Sequence, residues 1–194
     1  MDKISYALGL SMGHNFRQTG IDVLNVEDFA AGISAVYSNE KPAISYEEAK
    51  DIVAKFFEEL QQKQYRQNRE LGQKFLEENK KDPEVKVTPS GLQYKIIKQG
   101  EGPKPRADQK VTVHYAGRLI DGTVFDSSIE RGEPAVFAVN QVIPGWVEAL
   151  QMMPEGSQWQ LYIPSELAYG KHGAGQIIGP DATLIFDVQL IKVG

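Results

Sequence analysis

The chain has 194 residues, which is enough for one large domain or two small ones. With 41% hydrophobic and 24% charged residues, its composition is typical of a soluble globular protein. A formal net charge of -5 argues against nucleic-acid binding, which needs a basic surface to pair with phosphates. The absence of cysteine excludes disulfides, thiolate nucleophiles and cysteine-based metal sites. No apolar run approaches the roughly 20 residues of a membrane span, so we expect none.

The first ten residues, MDKISYALGL, do not resemble a signal peptide. They lack a basic start followed by a continuous apolar segment. We therefore expect a cytoplasmic protein, or a periplasmic one if an export signal has been removed.

The first 80 or so residues carry helical patterns. A first helix is indicated by apolar residues at every fourth position, Ile4, Leu8, Met12 and Phe16. A second helix is predicted for NVEDFAAGISAVY, where Asn25 and Asp28 form an approximate capping box. Both helices are amphipathic.

A long third helix is predicted from about residue 46 to 80. Ser45 and Glu48 form a capping box at its start, and Pro83 supplies a stop. At 1.5 Å per residue such a helix is roughly 50 Å long. Its middle, QQKQYRQNRE, is polar nearly all round, which is typical of a solvent-exposed connector between packed units.

The first 60 residues offer a meagre core, so their apolar faces must be covered by the C-terminal part or by another chain. We favour self-association as a homodimer through interlocked helices over a monomeric helical cap. The predicted organisation is a helical dimerisation region over residues 1–83 and a second domain over residues 84–194.

From about Thr88 the pattern changes to short strands with alternating apolar residues. One helix is predicted, GWVEALQMM. The chain is thus predicted to be α+β, with an antiparallel sheet that carries one short helix after the N-terminal helices. The strand candidates are GLQYKIIK, QKVTVHYAGRLI, TVFDS, AVFAV, SQWQLYIP and TLIFDVQLIKV.

The usual catalytic and cofactor motifs are missing from the sequence. His14, His114 and His172 are far apart, and no pair has the spacing of metal ligands. The glycine-rich segment GKHGAGQIIG lacks the Gly-Lys-Ser/Thr ending of a phosphate-binding loop and is interpreted as a mobile loop. We expect no metal and no cofactor.

The segment VHYAGRLIDGTVFDSS predicts a hairpin with an acid on its buried face. If Asp121 and Gly122 form a two-residue turn, Gly117 pairs with Asp126, Arg118 with Phe125 and Leu119 with Val124. Asp126 then shares the core face with Tyr115, its diagonal neighbour, and Gly117 leaves room for the carboxylate. A tyrosine hydroxyl can satisfy a buried carboxylate. The alternative is that Asp126 is a half-exposed residue at the strand end.

Phe125 falls on the opposite face by strict alternation. It can enter one site with Tyr115 and Asp126 only if the strand bends or bulges there. Trp146, Tyr169 and Phe186 stand near turns or in the last strand, and periodicity does not distinguish a pocket from ordinary core.

Four segments at similar spacing resemble the signature of FKBP-type peptidyl-prolyl isomerases. They are VTVHYAGRLIDGTVFDSS, VIPGWVEALQMMPEG, ELAYG and ATLIFDVQLIKV, within residues 88–194. The N-terminal helices resemble, more loosely, the dimerisation region of a bacterial two-domain subgroup that includes the macrophage infectivity potentiator proteins. The resemblance implies a strongly curved antiparallel sheet wrapped on a short helix, with an apolar pocket between them.

The resemblance also assigns site residues. It implies Trp146 as the pocket floor, Tyr169 as a donor to a ligand carbonyl, and a salt bridge between Arg131 and Asp126. The implied catalytic set is Tyr115, Phe125, Asp126, Trp146, Tyr169 and Phe186. The implied substrate-binding set is Arg131, Phe137, Val142, Ile143, Ile177 and Ile178, with the last two over the bound proline.

Two positions depart from many eukaryotic relatives: Ala135 replaces a pocket-edge phenylalanine and Ala174 replaces a histidine of the covering loop. Both bear on peptide preference and on the affinity for macrolide inhibitors, which the resemblance implies as ligands. The implied activity is isomerisation of X-Pro bonds in unfolded or partly folded proteins, with chaperone activity as a dimer. The alternatives are a peptide-binding holdase with little turnover and a purely structural dimer.

Overall fold

The computed structural model describes residues 1–38 and 40–194. Its contacts divide the chain into two compact units, Met1–Leu60 and Gln61–Gly194. The division falls inside the long helix, so each unit contains part of it. The sequence-based boundary between residues 83 and 84 stays a prediction.

The first unit contains α1 (Lys3–Gln18), α2 (Val26–Tyr37) and the start of α3 (Tyr46–Asn79). Asp2, Asn25 and Ser45 precede the three helices, and each side chain accepts a hydrogen bond from a first-turn N–H. The predicted caps at Asn25 and Ser45 are therefore confirmed. The prediction of a single long helix is also confirmed, because α3 has 34 residues.

The first unit has almost no interior. No described residue in Met1–Leu60 is fully buried. Phe16 meets Phe29 edge to face at 5.4 Å between ring centroids, and Leu60 packs against Gly20. Many large apolar side chains of this unit lie in solvent, among them Ile4, Leu8, Met12, Ile33, Val36, Ile52, Val53, Phe56 and Phe57.

The second unit is built on an antiparallel sheet of seven strands. The strands are β1 (Val85–Val87), β2 (Gln93–Lys98), β3 (Lys110–Leu119), β4 (Val124–Ser127), β5 (Ala135–Ala138), β6 (Gln158–Ile163) and β7 (Leu184–Val193). Six of them follow the order β1-β2-β6-β7-β3-β4. The remaining strand, β5, pairs with the first half of β3, on the side where β4 pairs with its second half. Among the strands, β1 was missed in the sequence.

One short helix, α4 (Pro144–Met152), packs on the sheet and closes the core. Pro144 suits its first turn, where a backbone N–H has no helical partner. Gly145 allows a close approach, since an added Cβ would lie 2.6 Å from Cγ2 of Ile163. Alternate residues of the central strands face α4 and are fully buried, including Val111, Val113, Leu161, Ile163, Val188 and Leu190.

The last turns of α3 cover the opposite face of the sheet. Phe75 and Leu76 pack on a small buried cluster, and the Phe75 ring lies 5.9 Å from that of Tyr162. The Gln93 amide donates to the backbone carbonyl of Leu76 at 2.9 Å. The polar middle of α3 is not uniformly exposed, because Asn68 is partly buried. The expectation of a solvent-exposed connector therefore holds for most of this stretch but not for Tyr65 and Asn68.

Within residues 1–38 and 40–194, no helix combines the length and the apolar character needed to cross a membrane.

Candidate active site

The hairpin between β3 and β4 has a three-residue loop. Gly122 N–H donates to Leu119 O at 3.0 Å, and Leu119 N–H donates to Thr123 O at 2.9 Å. Gly122 has φ of 91°, the left-handed conformation that ends such loops. The predicted two-residue turn is wrong, because glycine here closes a turn that begins one residue earlier.

The second strand of the hairpin contains a bulge. Arg118 pairs with Val124 and Gly117 pairs with Asp126, so Phe125 is the extra residue between them. The predicted bend is confirmed. The longer loop shifts the register by one residue and the bulge shifts it back. The predicted pair of Gly117 with Asp126 is therefore confirmed, while the pairs of Arg118 with Phe125 and of Leu119 with Val124 are wrong.

Asp126 has two hydrogen-bonding partners on neighbouring segments. The Tyr115 hydroxyl donates to one carboxylate oxygen, and the Arg131 guanidinium donates to the other. Arg131 also donates to the Tyr115 hydroxyl at 3.0 Å, which closes a triangle of three groups. The Asp126 side chain is 42% exposed, so the acid is half-exposed and bonded at the same time. The two interpretations of Asp126, as an acid bonded to Tyr115 and as a half-exposed residue at the strand end, therefore both apply.

The triangle fixes the protonation of its members at neutral pH. Burial alone would raise the pKa of Asp126, but hydrogen bonds from Tyr115 and Arg131, with the Arg131 charge, bring it below its usual value. Burial and the hydrogen bond to Asp126 raise the pKa of Tyr115. The hydrogen bonds to Tyr115 and Asp126 raise the pKa of Arg131. The site therefore holds a neutral phenol between a carboxylate and a guanidinium.

Aromatic rings surround the indole of Trp146, which α4 places against the sheet. Tyr115 and Phe186 each meet Trp146 nearly edge to face at 5.3 Å between centroids. Phe137 meets it at 5.8 Å, and Phe125 packs on Phe186 at 5.5 Å. Such edge-to-face contacts hold the rings in defined orientations.

Gly117 makes room for this ring cluster. A Cβ at Gly117 would lie 2.6 Å from Cε2 of Phe125 and 2.7 Å from Cε1 of Phe186. The prediction that the missing side chain leaves room for the Asp126 carboxylate is wrong in this respect. The space beside Gly117 is filled by the rings of Phe125 and Phe186, because the bulge turns Phe125 inward.

These rings and the loops beside them enclose a cavity of about 660 Å³, called the aromatic pocket below. This volume is typical of small-molecule and peptide-side-chain sites. Arg131 does not line it but braces Asp126 and Tyr115 from the side. Eleven of the twelve sequence-predicted site residues do line it: Tyr115, Phe125, Asp126, Phe137, Val142, Ile143, Trp146, Tyr169, Ile177, Ile178 and Phe186.

Gln141, Gly175 and Gln176 also line the pocket and were not predicted as site residues. Gln141 ends a three-residue 3-10 helix and the other two lie in a turn, where neither periodicity nor apolar character marks a position. Of the two departures, Ala174 lines the pocket and Ala135 packs against the core.

Residues 174–178 form a loop that lines the pocket and is called the flap below. Ala174 and Ile178 exchange two backbone hydrogen bonds, at 2.8 and 3.2 Å. Ile178 is buried while Ile177 is 47% exposed. One isoleucine therefore faces the interior and the other faces solvent.

The pocket offers apolar surface and hydrogen-bond donors, with no grouping typical of bond-breaking catalysis. No cluster of three potential metal ligands occurs in the part of the chain that the structure describes. The Tyr169 hydroxyl lies on a residue that is 39% exposed and lines the pocket, where it can meet a ligand carbonyl. Such a site can bind a ring and its adjoining amide.

An antiparallel sheet with an aromatic pocket against one short helix is the architecture that the sequence resemblance to peptidyl-prolyl isomerases implies. Residues 102–191 match the family described as FKBP-type peptidyl-prolyl cis-trans isomerase. Residues 1–96 match a domain described as amino terminal to FKBP-type peptidyl-prolyl isomerase. The chain belongs to the FKBP-type peptidyl-prolyl cis-trans isomerases and is an isomerase.

Relatives match nearly the whole chain. Outer membrane protein MIP of Legionella longbeachae is 47% identical over 99% of this chain and 85% of its own length. The FKBP-type 22 kDa peptidyl-prolyl cis-trans isomerase of Escherichia coli is 46% identical over 97% of this chain and 93% of its own. The crystal structure of FkpA from Escherichia coli matches with a TM-score of 0.77 at 34% identity, covering 98% of this chain and 95% of that one. The predicted fold class and family are confirmed.

Proposed function

We propose that the chain accelerates X-Pro rotation in folding proteins, that it works as a homodimer, and that the dimer also has chaperone activity. The observation that supports the catalytic part most directly is the aromatic pocket with its Tyr115, Asp126 and Arg131 triangle. No cofactor enters the proposed mechanism, because the reaction breaks no covalent bond.

The reaction needs only a surface that binds the twisted amide better than either planar form. Rotation about an X-Pro bond has a barrier of about 18–20 kcal/mol because it disrupts amide resonance, and without catalysis takes tens to hundreds of seconds. Each 1.36 kcal/mol of preference for the twisted form is about tenfold in rate. A fixed pocket that holds the proline ring while the preceding carbonyl turns can supply this preference.

In this proposal the proline ring lies on Trp146, and Tyr169 donates to a substrate carbonyl. The Tyr115, Asp126 and Arg131 triangle polarises the wall that the rotating carbonyl passes, and moves no proton. The proposed catalytic residues are Tyr115, Phe125, Asp126, Trp146, Tyr169 and Phe186. The proposed substrate-binding residues are Arg131, Phe137, Val142, Ile143, Ile177 and Ile178.

The test of catalysis is exchange NMR on an Ala-Pro peptide with substoichiometric full-length protein. Acceleration of cis/trans exchange is expected. The competing proposal is a holdase that binds peptides with little turnover, and it predicts peptide line broadening or shift changes without faster exchange. Binding without acceleration would contradict the catalytic proposal.

The proposed homodimer forms through the N-terminal helices. It is supported by the exposed apolar faces of the first unit, where no described residue is fully buried. Large apolar surfaces of this kind are typical of interaction sites. Sedimentation of the full chain at micromolar concentration is expected to give twice the monomer mass. A monomer at that concentration would contradict the proposal.

The proposed inhibitors are macrolides that occupy the aromatic pocket in place of a proline segment. Because Ala174 lines the pocket, we expect binding that differs in strength from that of relatives with a larger residue there. Titration calorimetry with a macrolide, compared with an Ala174→His variant, measures this difference. Equal affinities would contradict a role for this position.

The relatives do not support the predicted cytoplasmic location, since one of them is named as an outer membrane protein. We propose the periplasm as the alternative. Fractionation of the cells that make the protein, with marker proteins for each compartment, decides between them, and recovery with the cytoplasmic marker would contradict the periplasmic proposal.

A further inference from the structure

The flap separates two cavities. Gln176 and Ile177 line the aromatic pocket and also a second cavity of about 370 Å³. The second cavity lies between the flap, the tip of the β3–β4 hairpin and α3, with Ile120 and Leu71 on its other walls. Because the flap has open space on both sides, packing against its middle does not fix its position. Contacts at its two ends therefore fix its position.

Some of these contacts lie within the loop region itself. Ile178 packs in the buried core, and the Asp181 N–H donates to the Gly170 carbonyl at 2.9 Å. The others come from α3.

The end before the flap makes one contact with α3. Lys171 lies in the short turn Gly170–His172, just ahead of the flap. Its ammonium lies 5.7 Å from the ring centroid of Tyr65, a cation–π contact. Tyr65 is a residue of α3.

The end after the flap is hydrogen-bonded to the same helix, one turn further on. The Asn68 amide donates a hydrogen bond to the backbone carbonyl of Pro180 at 2.8 Å. The Gln64 amide donates to the Asn68 side-chain oxygen at 2.9 Å, which orients the Asn68 group. Pro180 comes two residues after the last flap residue, Ile178.

Two glycines allow the loop to lie this close to the helix. A Cβ at Gly179 would lie 2.9 Å from Nδ2 of Asn68, tighter than side chains tolerate. Gly72, the buried residue of α3, packs on Thr183, and a Cβ there would clash with the Thr183 hydroxyl. Helix and loop are therefore in contact over two turns of α3, with a direct hydrogen bond between them.

We propose that α3 positions the flap, and that Asn68 is a positioning residue for the isomerase site through its hydrogen bond to Pro180. The inference rests on the proposed function in that the flap covers a bound proline segment. Asn68 itself does not line the aromatic pocket, so its effect passes through the loop. The long helix thus acts on catalysis as well as linking the two parts of the chain.

The test is the full-length Asn68→Asp variant. Aspartate has the same shape but no donor, and its charge repels the Pro180 carbonyl. We expect KM for an Ala-Pro peptide to rise about fivefold, the size expected from one lost hydrogen bond, with kcat changed less than about twofold. Gly179→Ala places a Cβ against the donor atom Nδ2 of Asn68 and so forces the loop and the Asn68 amide apart, and it is expected to change KM in the same direction.

The matched control is Gln67→Ala, an exposed neighbour on α3 that lines neither cavity. It is expected to leave KM unchanged. Hydrogen exchange supplies a readout that general destabilisation would not move selectively. In Asn68→Asp the amides of Ala174 and Ile178 are expected to exchange faster, while the buried amides of β3 and β7 keep their protection.

The inference is overturned if Asn68→Asp leaves KM and the exchange of the two flap amides as in the unmodified protein. It is also overturned if exchange rises equally in β3 and β7, which would mean general destabilisation. If the unmodified protein itself fails to accelerate the peptide, the proposed function fails. The exchange comparison then still decides whether α3 positions the flap.

Discussion

Asp126 is held by a phenol and a guanidinium while almost half of its side chain stays in solvent. The arrangement stabilises an ionised carboxylate at the edge of an apolar pocket, and this carboxylate carries no proton that it could donate to a substrate. A carboxylate placed this way strengthens the dipole of the Tyr115 hydroxyl and fixes its direction. Its proposed contribution to catalysis is therefore electrostatic and orienting.

Replacing Asp126 tests this contribution directly. Asp126→Ala is expected to lower kcat/KM for a proline peptide about tenfold. The substitution removes the acceptor that orients the Tyr115 hydroxyl, and it leaves the Arg131 guanidinium without its acidic partner. The measurement is exchange NMR under identical conditions. Glu130→Ala removes a nearby exposed acid that does not line the pocket, and is expected to leave the rate unchanged. An unchanged rate in Asp126→Ala would refute the role.

The pKa directions predict how activity and stability depend on pH. The pKa of Asp126 is lowered in the folded protein and that of Tyr115 is raised, so neither group changes charge between about pH 5 and 9. We expect kcat/KM to be flat over that range. The stability that ionised Asp126 contributes is complete above its unfolded pKa of about 4 and is lost as pH falls through its lower folded value. In Asp126→Ala, the free energy of unfolding measured with urea should therefore fall less steeply at acid pH than in the unmodified protein. A bell-shaped dependence of kcat/KM on pH would contradict the proposed role of Asp126.

At the scale of elements, the β3–β4 hairpin shows how a bulge creates a site. The extra residue Phe125 turns inward beside Asp126, and Gly117 on the partner strand leaves the space that its ring fills. A regular strand would place successive side chains on opposite faces. The bulge therefore supplies the pocket with two neighbouring side chains from one short strand.

Adding a methyl group at Gly117 tests this packing. Gly117→Ala is expected to lower the free energy of unfolding by about 1–3 kcal/mol, because the Cβ overlaps the Phe125 and Phe186 rings. The same displacement is expected to reduce kcat/KM. Urea unfolding and the peptide assay measure both. Ala116→Ser adds one atom at the neighbouring position and is expected to change neither by much, so equal effects in the two variants would contradict the packing argument.

At the scale of the whole molecule, the first unit exposes apolar faces and the second carries the pocket. The proposed dimer gives each face a partner and would present two pockets to one unfolded chain. Linked sites bind a long client more tightly than a single site, while a short peptide gains nothing from the second site. Dimerisation should therefore raise the catalytic efficiency on protein substrates and leave that on short peptides unchanged.

The double variant Ile4→Glu with Leu8→Glu tests this separation. It is expected to sediment as a monomer, to keep the peptide rate, and to catalyse the refolding of a proline-limited protein about fivefold more slowly. His14→Glu with Gln18→Glu adds the same number of carboxylates to exposed positions of α1 and should remain dimeric. Loss of the peptide rate in the first variant would mean that the two units are not functionally separable.

Much of the architecture could be predicted from local sequence patterns. The caps at Asn25 and Ser45, the length of α3 and most strands were predicted, because caps and periodicity depend on residues close in sequence. The strand β1 was missed, since three residues give too short an alternation. The hairpin register was wrong in its loop, because Asp121-Gly122 suits both a two-residue turn and the end of a three-residue loop.

The sequence by itself determined that the chain is α+β, that helices precede the sheet, and that the segments around Tyr115, Trp146 and Phe186 resemble those of a proline isomerase. These properties follow from residue order and type. Only the tertiary structure decided that the bulge turns Phe125 inward, that Gly117 makes room for phenyl rings, and that Asn68 reaches Pro180. Those contacts join residues far apart in the chain, and their geometry depends on backbone details that no local pattern encodes.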